Sequence, residues 1–377
     1  MTILHIVGLN EKNTYNLFKQ LYEKYDLNNH KFLVMNSKKQ LELFPKFKEF
    51  NEFIYLPDNK LSKVICIYKK LKNSDFVIFN SLLFNSPKYI IVYYFFSYLF
   101  KKKAAWIEWG GDLYNWKRYD GSLKSKILNI CNQRLRERMT IIGLTSECDL
   151  DEVKTQFPKC KHIIETPLPF GTDRFALLSD IKRSRKRDDG FVWVQVSHNS
   201  LQVNNHISTL TRLEKFQYKT IKIVLPLNYG DFGIGGLYGG KWYRQSVISV
   251  ARSFFNSNVV VIAKLMNIES YLKYLWNTDI LVFESTRPIG MANIMYALYM
   301  DKKIYISSKS PQYEYLLSKG LEIYDTEKIQ NMEWDEFSKP NTKINSQNQW
   351  LIDKFYPYKE SEKWQKLFSE IQDIISV

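Results

Sequence analysis

Short, mostly apolar runs recur along the chain, separated by longer stretches whose apolar positions repeat every three or four residues. In the first half the strand-like runs are Ile3–Val7, Phe32–Met35, Phe76–Phe79, Ala104–Glu108, Thr140–Leu144 and His162–Glu165. Helical periodicity intervenes at Thr14–Tyr25, Leu61–Lys72, Pro87–Lys101, Ser122–Arg138 and Glu147–Gln156. Such alternation predicts βαβ units on a mostly parallel sheet. The pattern stops at Thr166-Pro-Leu-Pro-Phe-Gly171, where prolines and a glycine break regular structure. A second series then offers strands at Phe191–Ser197, Ile221–Leu225, Val259–Ile262, Ile280–Phe283, Lys303–Ile306 and Leu321–Ile323. Its helices fit at Asn204–Phe216, Lys241–Phe255, Asn267–Trp276, Gly290–Tyr299 and Gln312–Ser318. A helical tail, Asn345–Ser376, is interrupted at Pro357.

The fold expected is α/β, with two Rossmann-like, doubly wound domains facing a cleft. The first spans 1–178 and the second 191–344, joined by a basic linker at 179–190. C-terminal helices at 345–377 are expected to pack back on the first domain. Ligands of open parallel sheets bind beyond the carboxyl ends of the strands, so facing domains would place two ligands opposite each other.

Composition adds an electrostatic demand. The 377 residues carry a formal charge of +15, of which +10 falls in residues 1–178. Aromatic residues reach 15%. A basic, aromatic-rich chain expects an anionic partner: a phosphorylated metabolite, a membrane surface or nucleic acid. The basic residues are dispersed and match no nucleic-acid-binding module, so no nucleic-acid partner is expected. The segment Tyr89–Lys103 ends an aromatic and aliphatic stretch with three lysines. It reads either as a buried helix with a solvated end or as an interfacial segment meeting anionic lipid.

Several classes are disfavoured. Cys66, Cys131, Cys148 and Cys160 form no CxxC pair and read as reduced thiols of a cytoplasmic protein. The amino terminus lacks a signal-peptide pattern, and no apolar stretch reaches the ~20 residues of a membrane span. Neither GxGxxG nor GxxxxGK[ST] occurs.

Three segments carry candidate chemistry. In Trp106–Trp116, a strand runs into Trp109-Gly-Gly-Asp112, with Glu108 and Asp112 flanking a glycine turn among aromatic rings. Carboxylates partly desolvated by aromatics suit general-base catalysis. An Asp that merely caps the next helix, with its tryptophans in the core, is the plainer reading of the same residues. In Ser197–Asn205, Ser197 and Asn199 lie on a polar strand-to-helix loop suited to phosphate or ribose, or simply to helix capping. Further on, Tyr229 and Gly230 open a glycine-rich loop at 230–240, ahead of Lys241 and Arg244 at a helix start. That loop is either a diphosphate lid or a plain mobile connection. Finally, Glu284, Arg287, Gly290 and Asn293 lie on another strand-to-helix loop, where charge and helix amides can meet a pyrophosphate.

The segment Trp109-Gly-Gly-Asp-Leu-Tyr114 resembles the W-G-[AG]-D-L-Y signature of the TDP-N-acetylfucosamine:lipid II N-acetylfucosaminyltransferases (4-alpha-L-fucosyltransferases, glycosyltransferase family 56). Val196–Ser200, Asn204–Ile207, Lys222–Gly230 and Phe283–Gly290 are similar to further stretches of that family, in the same order. The family's glutamine stands as Pro288 here, and the glycine-rich loop departs from the family's shorter connection. The resemblance implies a GT-B fold and transfer of a deoxyamino-sugar or related hexose. The donor substrate would be a TDP- or UDP-linked sugar, with no cofactor and no metal, and the acceptor a lipid-linked glycan. It places the protein in the cytoplasm, peripheral to the inner, anionic face of a bacterial membrane. It also makes Asp112 the group acting on the acceptor, with Glu108 the fallback. A nucleotide-sugar epimerase of the same fold is the competing class.

Overall fold

The structure, a computed structural model, describes residues 1–8, 14–25, 27–37, 47, 53–83, 88–114, 121–167, 174–228, 241–354 and 357–376. It separates into two compact units, Met1–Gly171 with Pro357–Val377, and Thr172–Tyr356.

Strands β1 (Ile3–Val7), β2 (His30–Ser37), β3 (Phe53–Leu56), β4 (Phe76–Phe79), β5 (Ala104–Glu108), β6 (Ile141–Leu144) and β7 (His162–Glu165) build the first unit's sheet. They pair in the order β3-β2-β1-β4-β5-β6-β7, parallel throughout. Strands β1, β4 and β5 are buried along their whole length, as strands covered on both faces must be. Helices α1 (Thr14–Lys24), α2 (Lys60–Lys72), α3 (Lys88–Phe95, continuing as a 3₁₀ segment to Phe100), α4 (Gly111–Tyr114), α5 (Leu123–Arg136) and α6 (Leu150–Gln156) connect them. Asn59 and Ser122 cap α2 and α5 by accepting backbone N–H bonds from the first turn. The inner sides of α2, α3 and α5 share one apolar core with alternate residues of the sheet.

In the second unit, β8 (Val192–Val196), β9 (Ile221–Pro226), β10 (Val259–Ile262), β11 (Ile280–Phe283), β12 (Lys303–Ile306) and β13 (Tyr324–Asp325) pair in the order β10-β9-β8-β11-β12-β13. Around them lie α7 (Arg174–Lys182), α8 (His206–Leu213), α9 (Lys241–Phe255), α10 (Ile268–Trp276), α11 (Met291–Tyr299), α12 (Pro311–Ser318), α13 (Trp334–Ser338) and α14 (Gln349–Asp353). The last helix, α15 (Pro357–Ser376), belongs to the first unit. There Trp364, Leu367 and Ile371 enter the core on the face opposite α2, α3 and α5.

Three elements differ from the sequence pattern. Strand β3, the short apolar run Phe53–Leu56, is not among the expected strands and sits at the sheet edge with only its end residues fully buried. The strand expected at Leu321–Ile323 is displaced to Tyr324–Asp325, because the Asn345 amide takes both backbone groups of Glu322. The basic stretch expected to link the domains is instead bound to the second unit. Lys182 pairs with Asp301 and Lys186 with Asp279, both at 2.5 Å, and Arg187 bridges Asp279 and Asp189. Acceptors so far along the chain leave no local signature in the basic run itself.

Candidate active site

At the carboxyl end of β5, side chains alternate between faces. Trp106 enters the core shared with α5, and Ile107 the opposite one. Gly110 follows in the left-handed region at φ +69°, a conformation glycine adopts without penalty. This turn folds Asp112 back beneath the loop, fully buried. Its Oδ1 accepts the Trp109 N–H at 2.8 Å, and its Oδ2 accepts the Leu82 N–H at 2.9 Å and the Trp106 indole N–H at 2.7 Å. The buried Arg136 guanidinium donates to the Asp112 carbonyl at 3.0 Å and lies over the Trp106 ring. Burial lowers its pKa to about 9, partly opposed by Asp112. Asp112 is thus a clamp that closes the loop. Held by three N–H donors, it has no oxygen exposed to receive a substrate proton.

Glu108 is equally buried but differently satisfied. It accepts the Gly110 N–H at 2.6 Å and the Thr145 N–H at 3.2 Å. Burial first, then the nearby Asp149 and Asp112, hold its carboxyl well above the usual carboxylate range. Tyr114 donates to Asp149 at 2.7 Å, and burial followed by the Asp149 charge pushes the phenol pKa up. Glu108 and Asp149 therefore form an acidic cluster just beyond the carboxyl ends of β5 and β6. The sequence reading treated Asp149 as the start of a helix. Its place beside Glu108 comes from pairing of β5 with β6, for which a single sequence holds no signal.

The carboxyl edge of the second sheet is built from amides and hydroxyls. Ser197 adopts φ +57° directly after β8. Its N–H donates to the Val282 carbonyl and its own carbonyl accepts from Gln195. Its buried Oγ finds no partner among the described residues. Asn199 is buried, accepting from Leu201 N–H and the Asn204 amide. The Asn205 amide donates to the Glu284 carbonyl at 3.0 Å, joining the loops after β8 and β11. Gly290, at φ +63°, opens α11 against the His198 ring. A Cβ there would meet His198 Nδ1 at 3.0 Å.

Glu284 is buried and paired with Arg212 of α8, at 2.7 Å from both carboxylate oxygens. Asn293 is also buried and accepts from the Tyr271 hydroxyl at 2.8 Å. Arg287 stands half-buried on the same loop. His206 packs against Tyr243, 3.1 Å from Nδ1 to the hydroxyl, which draws the start of α9, with half-buried Arg244, toward the start of α8. Burial lowers the His206 pKa to about 4. Tyr229, Gly230 and the rest of the glycine-rich loop lie outside the described residues, as does the Lys241 side chain. Among the described residues, no group of three or more His, Cys, Asp or Glu side chains could hold a metal ion. No described helix is long and apolar enough to cross a membrane.

Over residues 2–373 the sequence matches the family described as 4-alpha-L-fucosyltransferase, glycosyl transferase group 56. The chain belongs to that family. Solved structures agree on the fold, which is GT-B. Anabaena Alr3699/HepE in complex with UDP and glucose is 13% identical, with a TM-score of 0.65, covering 98% of this chain and 100% of that one. A glycosyltransferase from Rickettsia africae is 14% identical, with a TM-score of 0.64 and 98% of each chain covered. As a group 56 member the protein is a glycosyltransferase, which decides against the epimerase class.

Within this group 56 chain, the structure brings Ser197, Asn199, Glu284, Arg287, Gly290 and Asn293 to one edge of the second sheet. Arg212 was missed by sequence reasoning. It sits on the apolar-periodic helix α8 and looks like an ordinary surface residue until α8 docks beside β11.

Proposed function

We propose that the protein transfers a sugar from a TDP- or UDP-linked donor to a polyprenyl-pyrophosphate-linked glycan on the inner face of a bacterial membrane. The sugar is a deoxyamino-sugar such as N-acetylfucosamine, or a related hexose. The observation that carries the donor side is the junction of the β8 and β11 loops. Ser197 there holds a buried, unpartnered hydroxyl, and Gly290 leaves the first amides of α11 without a side-chain cap. A buried hydroxyl is ordinarily hydrogen-bonded, and helix amides with a nearby arginine suit a diphosphate. The UDP and UDP-glucose complexes of Anabaena Alr3699/HepE support the same chemistry. In this reading Arg287 and the α11 amides take the charge of the departing nucleotide, and transfer survives chelation with EDTA.

On the acceptor side the clamp role of Asp112 shifts the acid–base assignment to Glu108. A carboxyl with a raised pKa suits general acid–base work, once acceptor binding opens the loop that covers it. A thermal-shift screen of nucleoside diphosphates, with and without EDTA, tests the donor site. TDP or UDP raises the melting temperature by mass action, and Arg287→Ala abolishes the rise. A flat response to every nucleotide would sink the donor assignment.

A further inference from the structure

The helices on one face of the first sheet share an unusual outer surface. On α2, Leu61 and Ile65 point outward, Leu61 being 69% exposed, while Ile67 and Leu71 fill the core. On α3 and its 3₁₀ extension, Ile91, Phe95 and Tyr98 are outward at helical spacing, Phe95 being 71% exposed. On α5 the outward line is Leu123, Ile127 and Ile130, Leu123 being 73% exposed. Single exposed apolar residues are unremarkable, but three neighbouring helices with apolar outer lines make a patch of the kind that marks an interaction site.

The same helices carry no Asp or Glu. Their charged positions are basic, including Lys69 and Lys72 on α2, while Arg134 on α5 pairs with Glu137 just past the helix at 3.2 Å. The 3₁₀ extension runs into the exposed Lys101, Lys102 and Lys103. A second copy of this surface would oppose mostly positive charge with positive charge, since the nearest carboxylates, Asp58 and Glu137, lie outside the helices and Glu137 is already paired with Arg134. An anionic, apolar-cored partner complements both properties at once, and that is the chemistry of an acidic bilayer.

Topology gives the surface a direction. Each of α2, α3 and α5 leaves the carboxyl end of a parallel strand and returns to the amino end of the next. Leu61 and Leu123, at the helix starts, therefore lie at the sheet edge that carries Glu108. Leu83, half-exposed after β4, extends the apolar surface to the Trp109–Asp112 loop, where its Cδ1 would lie 3.1 Å from a Cβ on Gly111.

We propose that the outer faces of α2, α3 and α5 lie flat on an anionic membrane, with their apolar starts at the carboxyl edge of the first sheet and their lysine-rich ends at the other edge. The inference deepens the lipid-linked acceptor reading and rests on it, since it sets the acidic cluster where a polyprenyl pyrophosphate emerges from the bilayer.

Flotation of the full chain with phosphatidylcholine vesicles, with and without phosphatidylglycerol, tests the surface. Binding is expected to the mixed vesicles and to weaken with salt. The triple variant Leu123→Gln, Ile127→Gln, Ile130→Gln is expected to lower partitioning by about tenfold or more, from lost apolar burial. Reversal of Lys101, Lys102 and Lys103 to glutamate is expected to lower it by a similar or larger factor. Melting temperatures should be unchanged, because all six side chains are exposed. Failure of the wild-type chain to float with mixed vesicles overturns the proposal, as does flotation indifferent to both variants. So does a concentration-dependent dimer that the apolar variant dissolves without any vesicle binding. A TDP and UDP thermal-shift measurement on the same samples keeps the two readings apart: its failure strikes the transferase site and leaves the vesicle result standing.

Discussion

Both sheets end their central strands with a buried glutamate, and the two are neutralised in opposite ways. Glu284, after β11, meets the guanidinium of Arg212 reaching across from α8. Glu108, at the end of β5, meets Asp149 and Asp112 instead, and burial with these two charges raises its pKa. One edge therefore holds paired opposite charges beneath a loop of amides and hydroxyls, the arrangement on which the proposed diphosphate site rests. The other holds a buried carboxyl whose pKa is raised, under an aromatic loop that Asp112 latches. The same residue type at the carboxyl edge of each sheet thus meets a different electrostatic environment, because burial makes each carboxyl depend on whatever its neighbours supply.

The sharpest test of the contrast is Glu108→Gln. If Glu108 exchanges the acceptor proton, transfer falls by a factor on the order of 10²–10⁴, whereas thermal stability at neutral pH is kept or raised. Near-wild-type turnover would return Glu108 to a purely structural role. The same variant separates the edges by pH. A carboxyl whose folded pKa is raised contributes stability that is complete below its unfolded value near 4.5 and is lost as pH rises through the folded value. Wild-type melting temperatures should consequently fall relative to Glu108→Gln as pH is raised above that point.

Asp112→Ala should act on stability first. Three N–H donors lose their acceptor and Arg136 loses a nearby countercharge, a cost of about 4 kcal/mol visible in denaturant unfolding. A stable Asp112→Ala protein that is merely inactive would reinstate it as a catalytic group. On the second edge the sign of the pH effect reverses. His206 is held neutral by burial, its pKa lowered from 6.5 to about 4. Its contribution is present above pH 6.5 and is lost as pH falls toward 4, about 3 kcal/mol in all. A His206→Gln chain should lack that component of acid unfolding. The smallest effect belongs to Gly290→Ala. The left-handed φ and the nearby His198 ring cost about 1–2 kcal/mol, and nucleoside-diphosphate binding should weaken with it. Unchanged binding would detach the α11 amides from the donor site.

Much of the fold was legible because parallel strands packed between helices write themselves as short apolar runs. Strands β1, β4, β5, β7, β10, β11 and β12 match those runs end to end. Two strands escaped that reading: β3 is a run of only four residues, Phe53–Leu56, at the sheet edge, and β13 forms only two residues along from the run at 321–323. The site was legible as segments rather than as roles. The loops after β5, β8 and β11 are rich in glycine, carboxylate and amide, and these stand out in a linear reading. Whether Asp112 faces substrate or grips its own loop does not, because Leu82, Trp106 and Arg136 arrive from separate elements.

Local residue pattern by itself determined the alternation of strand and helix, the excess of positive charge in the first half and the family to which the chain belongs. Each follows from residues near one another in the sequence or from their order along it. Tertiary structure alone decided where the charges are spent. It bound the basic run at Lys182–Arg187 to Asp279 and Asp301, turned Asp112 into a latch, and gathered the apolar and lysine-rich lines of three helices onto one face. The physical reason is common to all three. A charge or an apolar surface acquires its meaning from the groups that surround it in space, and in a parallel α/β fold those groups come from distant parts of the chain.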